Sequence, residues 1–101
     1  MDQIETGYGL GVAWVSEVHV NPRIAQKIVD DHGLSVEAVV AAVVRREVSE
    51  ASWDDHPRHG RRLLVKVTIK GRRVLIALFP AKNPAQVNHY HLGTAHVINR
   101  G

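Results

Sequence analysis

The sequence predicts an α+β domain in which a two-helix hairpin packs on a mostly antiparallel β-sheet. Three observations carry this. Residues 22–32 and 35–47 place apolar side chains at helical spacing, residues 62–70 alternate strictly between apolar and polar, and residues 73–79 are apolar on both faces. Strands that follow a helix pair, rather than alternating with helices, segregate helix and sheet into separate layers.

The elements follow in chain order. Residues 1–11 carry Gly7, Gly9 and Gly11 and are expected to be flexible. Val12–Val20 combines valines, Trp14 and short alternation, and reads as a strand. Asn21 followed by Pro22 is an N-cap with proline at the first helical position. Ile24, Ala25, Ile28 and Val29 then form one apolar stripe, which His32-Gly33 closes with a glycine able to turn left-handed. Ser35 caps the second helix, and Glu37 sits near its positive end. Val36, Val39, Val40, Val43 and Val44 keep the helical period despite the β preference of valine.

Ser49–His56 is a candidate short strand, and His56-Pro57-Arg58-His59-Gly60 a turn. In 62–70, Leu63, Val65, Val67 and Ile69 share one face, and Arg62, Lys66, Thr68 and Lys70 the other. A tight hairpin turn at Gly71-Arg72 or Lys70-Gly71 leads to the apolar strand 73–79, which suits a central position covered on both sides. A loop over 80–84 precedes a last strand within Val87–Ile98, with a weak point at Gly93. Trp14 and Trp53 flank the helix pair and are expected in the core.

Composition narrows the function. With 101 residues, 45% apolar and 23% charged, residues 1–101 form a single domain able to bury one core, which excludes a disordered or fibrous chain. The absence of cysteine excludes disulfides, thiolate catalysis and cysteine metal sites. No apolar run is long enough to span a bilayer, and the acidic start Met1-Asp2-Gln3-Ile4-Glu5 has no signal core, so a soluble cytoplasmic protein without membrane association is expected.

Charge is segregated along the chain. All ten acids lie at or before Asp55, against four bases there, a net of −6; the remainder carries nine bases and no acid, a net of +9. Such a block attracts a polyanion or an acidic protein unless the fold brings the two halves together. Nine cations without interleaved acids cannot all be neutralised by their sequence neighbours.

Two phrases in the chain resemble a known family. Asn21-Pro22-Arg23-Ile24-Ala25-Gln26-Lys27-Ile28 with His32-Gly33-Leu34-Ser35-Val36-Glu37-Ala38-Val39, and Gly60-Arg61-Arg62-Leu63-Leu64-Val65-Lys66-Val67-Thr68 with Gly71-Arg72-Arg73-Val74-Leu75-Ile76, look like the helix pair and the glycine-arginine hairpin of BrnT-type toxins. Gly93-Thr94-Ala95-His96 resembles their terminal strand, with His96 where the family has arginine. The resemblance, over residues 18–98, implies a RelE-like fold and a toxin that cleaves mRNA, on the ribosome or free, and is neutralised by an acidic cognate antitoxin. It places Arg62 at the arginine that opens the family's hairpin strand.

Cleavage of RNA without a metal or cofactor needs a base for the 2′-hydroxyl, an acid for the leaving 5′-oxygen and cations around the phosphorane. Arg62 and Lys66, four residues apart on one strand face, are candidate phosphate clamps, with His91 and His96 as candidate acid and base. Lys70, Arg72 and Arg73 extend the cationic surface toward RNA, and Tyr90 either stacks on a base or anchors the sheet. His89 and His91, two apart on a strand, could share a metal with His56 or His59. The lack of any carboxylate after Asp55 and the cationic surroundings oppose this, so no metal or cofactor is expected. The alternative to a ribonuclease is a catalytically silent module of the same fold that binds nucleic acid or a protein partner through its basic sheet face.

Overall fold

The computed structural model describes residues 11–58 and 60–98. In chain order they form β1 (Gly11–Val15), β2 (Glu17–His19), α1 (Pro22–His32), α2 (Val36–Val43), β3 (Arg46–His56), β4 (Gly60–Ile69), β5 (Arg72–Pro80) and β6 (His89–Val97). The expected flexibility of 1–11 falls, apart from Gly11, outside the described residues. No helix among the described residues is long and apolar enough to cross a membrane.

The six strands make one sheet in the order β1-β3-β4-β5-β6-β2. All pairings are antiparallel except β2 on β6. The strand expected over Val12–Val20 is divided at Ser16, whose N–H donates to the Asn88 carbonyl at 2.9 Å. Its two halves lie at opposite ends of the strand order, so the sheet curls back on itself into a barrel-like shape rather than an open layer.

The alternation in β4 sets the faces of the sheet. Leu63, Val65 and Val67 pair with Leu78, Ile76 and Val74, and Ile76 and Leu78 pair in turn with Ala95 and Leu92. These inner side chains join Ile28, Leu34, Val39 and Val43 of the helix pair in one apolar cluster. Each fully buried Leu, Ile or Val contributes about 1.5–3 kcal/mol relative to exposure. α1 packs chiefly along β6, and α2 against β4 and β3.

Both helices start and stop as their sequence dictates. The Asn21 side chain accepts from the Arg23 N–H at 2.8 Å, and Gly33, at φ 64°, returns its N–H to the Val29 carbonyl. Ser35 accepts from the Ala38 N–H at 3.3 Å and its hydroxyl donates to Glu37. The second helix stops at Val43 rather than reaching residue 47, because Val44 is extended and Arg45 turns left-handed at φ 56°. Tertiary pairing overrides helical period there: Arg46, Glu47 and Val48 pair with Val15, Trp14 and Ala13, so β3 begins at Arg46 instead of Ser49.

The β4–β5 hairpin turns through Lys70 at φ 51° and Gly71 at φ 79°, the doubly left-handed geometry that matches strand twist. Gly93 sits in a bulge of β6, between the pairs Ala77↔Thr94 and Leu78↔Leu92. The Phe79 ring lies where a Cβ on residue 93 would stand. Trp14, expected in the core, is 44% exposed on the outermost pairing of β3. Trp53 is half-buried, with the Arg61 guanidinium 4.6 Å above its ring. Tyr90 is buried 6.5 Å from Trp53, and burial pushes its phenol above the ordinary value of 10.0.

Two outcomes follow from this packing. Gly93→Ala displaces the Phe79 ring and destabilises the fold by about 0.5–1.5 kcal/mol; in urea unfolding that cost should largely disappear in a Phe79→Ala background, where the space is vacant. Because the folded state favours the neutral Tyr90 phenol, the unfolded chain loses its proton first, and stability falls as pH rises above 10.0 toward the folded value. Tyr90→Phe should lessen this alkaline loss, read from unfolding midpoints measured on either side of that pH.

Candidate nucleic-acid interface

The outer face of β4, β5 and β6 is ordered by register into rows of side chains. Lys66 pairs with Leu75 and Leu75 with His96; Leu64 pairs with Ala77 and Ala77 with Thr94. One position beyond the Leu63↔Leu78 pair, Arg62 lies opposite Phe79, which pairs with His91, and His91 with His19 of β2. Leu64, Leu75 and Phe79 are half-buried, so the middle of the face is apolar and its margins are cationic and imidazole-bearing. Ile24 of α1 joins Arg62, Ala77, Phe79 and Thr94 around a shallow hollow on this side.

The fold brings the acidic and basic parts of the chain together along the β3–β4 seam. Asp54 pairs with Arg62 in register, and its carboxylate accepts from Arg62 Nε at 2.8 Å. Arg73 reaches across β4, donating to Thr68 at 3.1 Å and to Glu50 at 2.6 Å. Arg45 pairs with Glu17 at 3.1 Å. Lys66, Lys70 and Arg72 have no ion-pair partner among the described residues and are exposed. Of the cations expected to meet RNA, Lys66 on the face and Lys70 and Arg72 at the hairpin are therefore free, whereas Arg62 and Arg73 are already engaged.

The candidate acid and base are not brought together. His91 and His96 stand on one strand about 15 Å apart at strand rise, too far to flank a single phosphate. His96 instead meets His32 in the last turn of α1, with ring centroids 5.6 Å apart. It lies two strands, about 10 Å, from Lys66 in the same row. His91 belongs to a second group: its ring is 5.4 Å from that of His19, which in turn stacks on His89 at 5.3 Å. The sequence marked neither His32 nor His19, because each reads as an ordinary end of its element. The only signal was seven histidines in a chain of this length.

Tyr90 takes the second of its two expected roles. Its partner Val18 and neighbour Leu92 face inward, the ring is buried, and it anchors the sheet instead of offering a stacking surface. His56 accepts from the Arg58 N–H at 3.0 Å in the β3–β4 turn, while His59 lies outside the described residues. Among the described residues no three His, Asp or Glu side chains stand as a ready metal cage.

No protein-family model, curated protein or solved structure matches the chain, so the reading of this face rests on its own geometry.

Proposed function

We propose that the protein is an RNA-binding module that receives the phosphate backbone on the outer face of its sheet. The observation that carries this reading is the charge sorting: Asp54 and Glu50 are consumed by Arg62 and Arg73, while Lys66, Lys70 and Arg72 remain exposed and unpaired beside apolar Leu64 and Leu75. Free lysines and arginine neutralise phosphates, and a sheet face with apolar side chains accommodates unstacked bases.

A second reading makes the same face the site of a toxin endoribonuclease of RelE-like fold, held in check by an acidic antitoxin. The His32–His96 pair favours it, since two adjacent imidazoles supply a base and an acid, with Lys66 two strands away in the row of His96 as a phosphate contact. The helix hairpin ahead of antiparallel β3–β6 is in keeping with that fold; closure of the sheet by β1 and β2 is a departure from a simple open layer. Here Arg62 serves stability through Asp54, and His91 stands outside the reacting centre.

RNA affinity, followed by fluorescence anisotropy with a single-stranded oligonucleotide, should fall steeply with salt. Lys66→Gln with Lys70→Gln should lower the slope of log affinity against log salt by about one to two units. Tight binding to an acidic protein that ignores RNA would transfer this face to a protein partner.

If the face also cleaves, His96→Ala and His32→Ala should each lose on the order of a hundredfold in rate without losing RNA affinity. His91→Ala should cleave like the wild type, and expression of the wild-type chain alone should slow bacterial growth. Intact RNA with and without ribosomes, together with harmless expression, would leave the binding module standing and remove the toxin reading.

A further inference from the structure

The histidine group at the β2–β6 seam lies at the margin of the same outer face and does something different. His19 is the last residue of β2; His89 and His91 are the first and third residues of β6. Parallel register pairs His19 with His91 and Glu17 with His89, and residues two apart on a strand project to one face. Three imidazoles from two strands therefore share the outer side of the sheet. Their rings lie 5.3 Å apart for His19 and His89, and 5.4 Å for His19 and His91.

One distance defines the chemistry. His19 Nε2 and His89 Nδ1 are 3.1 Å apart. Two imidazole nitrogens bound to one tetrahedral zinc ion, each at about 2.0–2.1 Å, stand about 3.3 Å from one another. The spacing already matches. Replacing the hydrogen bond by two metal bonds then requires the bridging proton to move to the other nitrogen of its ring, a change of tautomer, and both rings to turn so that their lone pairs converge on the ion. As they stand the three rings do not form a complete cage, so binding requires their side chains to rearrange; His19 and His91 are exposed. Glu17 lies beside His89, held by Arg45, and offers a carboxylate to offset the ion's charge, while Phe79 and Pro80 border His91 and the nearby Lys82 opposes the ion.

We propose that His19, His89 and His91 bind one late first-row divalent metal ion, with zinc as the representative, and that the ion staples β2 to β6. Neutral imidazoles select such metals over magnesium or calcium, which prefer oxygen donors. Three protein ligands leave the fourth position to water. The location gives the ion a structural role, since β2 is joined to β6 by only three register pairs and this pairing closes the sheet.

Zinc chloride titrated calorimetrically into the full chain tests this. A saturable single site is expected, weakened about tenfold or more in His19→Ala, His89→Ala and His91→Ala and unchanged in His32→Ala. The melting temperature of the wild type should rise with zinc by several degrees at concentrations about a hundredfold above Kd, and that of His19→Ala should not. Should an alanine variant fail to fold by circular dichroism, the glutamine variant at the same position takes its place and is read the same way. No saturable binding by the wild type overturns the proposal, and so does wild-type affinity retained in the His19 variant or in the double His89, His91 variant.

Discussion

The structure depends on one short segment that serves both ends of a sheet. Gly11–Val15 pairs with β3, the next residue turns, and Glu17–His19 pairs with β6, four strands away in the order of the sheet. The bond from the Ser16 N–H to the Asn88 carbonyl fixes the crossing point. Satisfying hydrogen-bond donors on both sides of that crossing forces the sheet to curve. Curvature in turn sorts the side chains: the concave side collects the valines, leucines and Tyr90 into a closed core, and the convex side is left with Leu64, Leu75 and Phe79 amid cations and histidines.

The same curvature explains the fate of the charge. In sequence, acids and bases occupy separate stretches; in space, β3 carries the acids along the border of the basic hairpin. Arg62 and Arg73 are neutralised by neighbours that only the fold supplies, while Lys66 and the two cations of the hairpin make no ion pair among the described residues, Glu50 and Asp54 being taken by Arg73 and Arg62. Exposed pairs of this kind are worth at most about 1 kcal/mol each in stability. Their larger effect is to decide which cations are left to act on a ligand.

Much of the architecture was legible in the residues, and the failures are physical. Proline after asparagine, glycine after histidine and the strict alternation from Leu63 to Ile69 each act through local sterics, and these elements appear where the pattern put them. The Val36–Val44 run is compatible with helix and strand alike, so the point at which it yields to β3 was set by pairing with β1, which local pattern does not encode. The division at Ser16 was hidden for the same reason. The site was less legible than the fold. Alternation correctly put Lys66, Thr94 and His96 on one face, but the partners of Arg62, the burial of Tyr90 and the meetings of His96 with His32 and His91 with His19 arise between segments distant in sequence.

The seam between β2 and β6 joins residues seventy positions apart. On a ribosome, the helices, the β1–β3 pair and the first hairpins can form as they emerge, whereas β2 must wait for β6. Contacts of such long sequence separation are slow to form, because the entropy of closing the loop is lost before the pairing is gained. Until β6 arrives, β2 holds out an unpaired edge and the concave core stays open at one side, the kind of transient surface on which nascent chains associate with one another. Placing short, polar and histidine-bearing Glu17–His19 at that exposed edge, rather than one of the valine-rich strands, limits the risk during the interval.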